Sequence, residues 1–181
     1  MRKILLTASF LSFAFAGVFI AGCGPFWVDP YIVVKESSLN WVSIRYYNMN
    51  KLPARRIGVD IYGNGLVEVK SGTSQLVSND FASNHKSSDW DDIKTHRIQI
   101  KPEEANDIFQ HLVNCGVLDR EKYGKKSKAK AFQRFIAVKA NICTHTYSEN
   151  VNIFEVDPDL AENLLDVVRE FEGTALKGDL N

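Results

Sequence analysis

Apolar and polar residues alternate along 41–47, where Val42, Ile44 and Tyr46 fall on one side and Ser43 and Arg45 on the other. A period of two predicts a strand with one buried face. The pattern returns over 56–62 through Ile57, Val59 and Ile61, and Gly63, Asn64 and Gly65 then predict a tight turn. A two-residue turn at Asn64 and Gly65 would set Ile61 against Glu68. A three-residue turn sets Ile61 against Val67 and Val59 against Val69, which makes one face wholly apolar. The second register is expected, and it leaves Asp60 opposite Glu68, a mild like-charge penalty. Residues 93–100 form a further strand pattern with His96, Ile98 and Ile100 on one face, and 75–77 suit a short strand.

The period then changes. Pro102 suits a first helical turn and Glu103 and Glu104 suit the positive end of a helix. Ala105, Ile108, Phe109, Leu112 and Cys115 recur at spacings of three and four, and Gly116 is a natural stop. Three strands are expected at 132–139, 142–147 and 151–156, separated by Ala140-Asn141 and Ser148-Glu149-Asn150. A second helix is expected from a cap at Asp157 and Pro158 to Gly173, with Ala161, Leu164, Leu165, Val168 and Phe171 as its apolar stripe. These elements predict an α+β domain: a mainly antiparallel sheet with two amphipathic helices on one face. A shift of 56 residues aligns Ile98 with Phe154, Pro102 with Pro158 and Leu112 with Val168. That echo allows a tandem strand-helix repeat, and equally convergence on generic helix-start and stripe patterns.

The first residues follow another logic. Arg2 and Lys3 precede an apolar run over 4–21, broken by Thr7, Ser9, Ser12 and Gly17, and Ile20, Ala21, Gly22 and Cys23 close it. A basic start, an apolar centre and a small-residue end read as a secretory signal. The alternative is a permanent anchor, for which 18 residues lie at the lower edge of spanning length. Ile20 to Cys23 resemble the bacterial lipoprotein signal, and that resemblance implies cleavage before Cys23 and lipid on its thiol. Gly24 follows rather than aspartate, which in the enterobacterial sorting rule implies the outer rather than the inner membrane. The expected organisation is a signal at 1–22, a tether at 23–40, one domain at 41–173 and a tail at 174–181.

Composition narrows the function classes. The chain has 22 basic and 22 acidic side chains, so no global field points to nucleic acid. Membrane attachment would rest on the lipid, and two or more acyl chains suffice for it. With Cys23 lipidated, Cys115 and Cys143 remain, either as a disulfide in an oxidising compartment or as two separate buried thiols.

The Asp60–Val67 segment, 108–118 with Tyr123, and 156–171 together also resemble a family of uncharacterised bacterial lipoprotein domains. The resemblance implies this fold and brings no activity.

Candidate chemistry is sparse. His85, Asp89, Asp91, Asp92 and His96 could ligate zinc or a similar ion, but their spacing fits no known ligand pattern, and a polar loop is the simpler reading. Cys143 and His145, two apart in an expected strand, would share a face, which could make Cys143 a nucleophile or simply pack both under a helix. No nucleophile elbow or phosphate-cradling glycine motif occurs, and neither an enzyme nor a cofactor is expected. Two irregular stretches remain as binding candidates: 71–92 with Phe81 and Trp90, and the basic run 120–134 with Lys125, Lys126 and Lys128. The expected function is a lipid-anchored envelope module that binds a protein or an envelope polymer without catalysis. Inhibition of an envelope hydrolase through Trp90 is an alternative, and a metal-dependent enzyme a remoter one.

Overall fold

The computed structural model describes residues 32–48, 53–74, 92–124 and 134–178. Within them, β1 (Trp41–Asn48), β2 (Ala54–Tyr62), β3 (Leu66–Ser74), β4 (Asp92–Gln99), β5 (Arg134–Ile142) and β6 (His145–Asn152) form one sheet. Helices α1 (Pro102–Asn114) and α2 (Pro158–Gly178) complete the α+β architecture. The spatial order is β4-β3-β2-β1-β5-β6, and every neighbouring pair runs antiparallel. No described helix is long and apolar enough to cross a membrane.

Alternation decides the core. Val42, Ile44 and Tyr46 register with Ile61, Val59 and Ile57 on one side and with Ala140, Val138 and Ile136 on the other. The turn at 63–65 gives the expected pairs Ile61 with Val67 and Val59 with Val69, with Gly65 at φ +82°. Phe109 and Leu112 of α1 and Leu160, Leu164, Val168 and Phe171 of α2 join the same buried cluster. Each such side chain contributes about 1.5–3 kcal/mol on burial, so packing outweighs any local helix preference. α2 lies against β1 to β4 and touches α1.

Four local details depart from the sequence pattern. The three strands expected after residue 132 are two, because the apolar period Ile136-Val138-Ala140-Ile142 continues without a break. The chain reverses at Cys143 (φ 51°) and Thr144 (φ 68°), residues that seldom take this backbone, so the turn carries no sequence signal. Ser148-Glu149-Asn150 instead lies within the edge strand β6. α2 passes through Gly173, whose Cα faces open space, and continues because Ala175 extends the buried stripe.

The fourth detail concerns 32–40, the later half of the expected tether. Val34 is a core residue, and its N–H donates to Gln110 Oε1 at 2.7 Å while its carbonyl accepts from Asn106 Nδ2 at 3.2 Å. Asn40 is 2% exposed and ties three turns together. Its Nδ2 donates to Lys35 O (2.8 Å), and its Oδ1 accepts from Cys143 N–H (3.0 Å). Its own carbonyl accepts from Gly63 N–H (2.8 Å), beside a contact in which a Cβ on Gly63 would stand 1.9 Å from Ser37 O. Removing the amide leaves an acceptor and a donor without partners, each worth about 1–3 kcal/mol when buried. Asn40→Ala is expected to lower unfolding stability by about 2–3 kcal/mol in urea titration with an unchanged m-value. A loss under about 0.5 kcal/mol would show that the three turns hold without it.

Candidate functional site

The other face of the sheet is polar by sequence, yet its central positions on β1 and β2 are withdrawn from water. Arg56 is 1% exposed, and Arg45 and Asp60 are 8% each. Arg45 Nη2 stands 2.6 Å from both Asp60 oxygens, and Nη1 donates to Ile44 O at 3.3 Å. The two residues are diagonal neighbours, since Arg45 registers with Gly58 and Asp60 with Ser43. A Cβ on Gly58 would sit 2.8 Å from Arg45 Cδ, so the missing side chain makes room for the arginine to lie across β2.

Asp60 and Glu68 face each other as the register required. Each carboxylate has its own cation: Asp60 has Arg45, and Glu68 has Arg97 Nε at 2.8 Å with Lys70 Nζ at 4.0 Å. The like-charge penalty is thereby offset on both strands. Tyr62 borders this cluster, and burial, then Asp60 and Glu68, raise its phenol pKa against the opposing pull of Arg45.

A second buried polar group lies beneath β6. The 3₁₀ turn Arg120–Tyr123 buries Tyr123, whose hydroxyl donates to Val117 O at 2.9 Å. Its ring lies 5.0 Å from that of Tyr147, tilted by 32°. Burial above all raises both phenols, and the Glu149 carboxylate adds to it. The Tyr147 hydroxyl is buried and has no hydrogen-bond partner among the described residues. Arg120 stands 3.8 Å from Glu149, and Lys122 bonds Asp157 at 2.9 Å. That bond holds Lys122 above its ordinary pKa and Asp157 below its own. The first members of the basic run therefore serve the scaffold.

Most of the sequence candidates lie outside the described residues: Cys23, Phe81, His85, Asp89, Trp90, Asp91, Lys125, Lys126 and Lys128. His96 sits in β4 opposite Val69, and Asp92 is four strand positions away, about 13 Å, so the two cannot share an ion. Among the described residues no group of three His, Cys, Asp or Glu side chains could hold a metal. Cys143 is a turn residue and not a strand neighbour of His145, which removes the shared face expected for the two. Cys115 and Cys143 are free thiols in this structure: one ends α1, the other occupies the β5–β6 turn.

Cys115 does meet His111, which in turn meets Asn163, a combination that invites a catalytic reading. His111 Nε2 lies 2.6 Å from Asn163 Oδ1 and 3.8 Å from Cys115 Sγ, so one nitrogen serves both contacts. A relay needs one nitrogen for each partner. Burial, with Asp159 beside it, also pushes the Cys115 thiol up, away from the thiolate a nucleophile needs.

Sequence reasoning missed Asn40, the Arg45–Asp60 pair and Tyr147. One signal was available: Gly58 inside a strand pattern marks a close approach by another group.

No protein-family model matches the chain, and no curated protein matches it significantly.

The tyrosine pair gives a pH test. Both phenols titrate above the ordinary value near 10 in the folded chain, so the unfolded chain releases protons first. Their contribution is complete below about pH 10 and is lost as the pH rises beyond it. Tyr147→Phe removes only an unpartnered hydroxyl and is expected to leave stability at pH 7 unchanged or about 1 kcal/mol higher. Tyr123→Phe loses the bond to Val117 and is expected to cost about 1 kcal/mol. Both should flatten the alkaline decline in urea unfolding. A larger loss for Tyr147→Phe than for Tyr123→Phe would contradict these roles.

Proposed function

We propose that this chain is an exported, lipid-anchored cell-envelope lipoprotein that binds an envelope protein or polymer and performs no catalysis. The basic start, the apolar run and the Ile20-Ala21-Gly22-Cys23 ending support lipid on Cys23, with the outer membrane as its destination. Its kinship with uncharacterised lipoprotein domains belongs to the same proposal. In this reading both helices cover one sheet face, since their stripes share a core cluster with it, and Pro102 and Pro158 are the matched starts of a tandem strand-helix pair.

The observation that carries the binding assignment is the register at one end of the sheet. Thr73, Arg55, Asn48 and Arg134 lie in one cross-strand row, with Asp92 paired to Thr73. Both described ends of the segment with Phe81 and Trp90, and the Arg134 end of the segment with Lys125, Lys126 and Lys128, therefore meet the sheet at the same end. Three strand spacings, about 14 Å, separate β3 from β5. Aromatic anchors and a basic cluster rooted that closely would act on one partner surface.

The test places a photoreactive residue at position 90 of the full chain in cells and follows metabolic palmitate labelling in parallel. The expected result is one dominant crosslinked partner that disappears when Lys125, Lys126 and Lys128 are changed to Glu, with palmitate lost and the protein released from membranes in Cys23→Ser. Crosslinks to bulk envelope proteins alone would overturn the binding assignment, and an unlabelled Cys23 would overturn the anchor.

A further inference from the structure

Over most of the polar sheet face the charges neutralise one another, as Arg45 with Asp60 and Glu68 with Arg97 and Lys70. One region differs. At the margin formed by β1, β5 and the edge strand β6, an open depression of about 320 Å³ is lined by Trp41, Lys139, Ala140, Thr146, Tyr147 and Ser148. Trp41 registers with Asn141, Asn141 with Thr146, and Lys139 with Ser148, which puts Trp41, Lys139, Thr146 and Ser148 on one face of three adjacent strands. The Trp41 indole N–H, the Lys139 ammonium and the two hydroxyls make no hydrogen bond or ion pair with any described residue. No carboxylate lines the depression.

We propose that this depression is a subsite for an acidic sugar residue of a polysaccharide, such as a hexuronate. An indole face stacks on the C–H side of a pyranose ring, and the aromatic surface is the apolar part of that contact. Lys139 supplies the charge for the sugar carboxylate, and Thr146 and Ser148 supply donors and acceptors for ring hydroxyls. The volume is at the lower end of ligand pockets, about 300–1,000 Å³, which suits one or two sugar rings. The site lies at the Trp41 end of β1, about 23 Å along the strand from Asn48, so it is independent of the partner surface proposed above.

The experiment titrates the full chain in detergent with a glucuronate-containing disaccharide and with its neutral glucose counterpart, following the Trp41 indole N–H by NMR. The Trp41→Phe spectrum assigns that signal. The expected result is a saturable shift with the acidic sugar and about fivefold weaker binding of the neutral one, the upper range for an exposed charge contact. Lys139→Gln, with unchanged thermal unfolding, should abolish the discrimination. Trp41→Ala should abolish binding, and Trp41→Phe should retain it by calorimetry. No saturable shift, equal affinity for both sugars, or tighter binding of a Glu-rich peptide or of inorganic phosphate would overturn the proposal.

Discussion

The ion pair between Arg45 and Asp60 is the contact around which the polar side of this sheet is arranged. It joins β1 and β2, the two strands that separate the rest of the sheet into halves. It requires Gly58, since any side chain there would occupy the path of the arginine. It also determines what Glu68 must do: with Asp60 already committed, the carboxylate opposite it takes Arg97 and Lys70. A buried ion pair is weak evidence for net stability, because removing two charges from water offsets most of their attraction. Its value here lies in register. A slip of one residue between β1 and β2 would turn Arg45 toward the apolar face and Val42 and Ile44 away from it, at a cost no turn could offset.

The two ends of the sheet have different tasks. At one end Asn40 fastens the segment before β1 to the β2–β3 and β5–β6 turns, and α1 starts directly after β4. At the other end the register gathers Asn48, Arg55, Thr73, Asp92 and Arg134 in one row. On the proposed reading, the pinned end would hold the sheet while the other end positions the long connections for a partner. Beside Trp41 lie donors that pair with no described residue.

Much of the fold was legible because hydrophobic period and punctuation agree. The register of β2 and β3, both proline-led helix starts and the stop at Gly116 follow from residues that carry strong local preferences. What escaped depends on contacts distant in sequence. Cys143 and Thr144 hold an uncommon turn whose first N–H bonds Asn40, 103 positions away. Gly173 reads as a stop, but burial of Phe171 and Ala175 carries α2 past it. Ser43, Arg45 and Asp60 read as a solvent face, and only their mutual coverage makes it a buried one. The site was less legible than the fold. The aromatic and basic stretches singled out lie largely outside the described residues, while Lys139, Thr146 and Ser148 belong to strands with no motif at all.

A double-mutant cycle on Arg45→Met and Asp60→Leu, read by urea unfolding, tests the organising role of this pair most directly. Each single change leaves an uncompensated buried charge and is expected to cost about 3–5 kcal/mol, with the double variant losing far less than the sum. Additive losses, or single losses below about 1 kcal/mol, would show that the two residues act independently and that the face is not built around them.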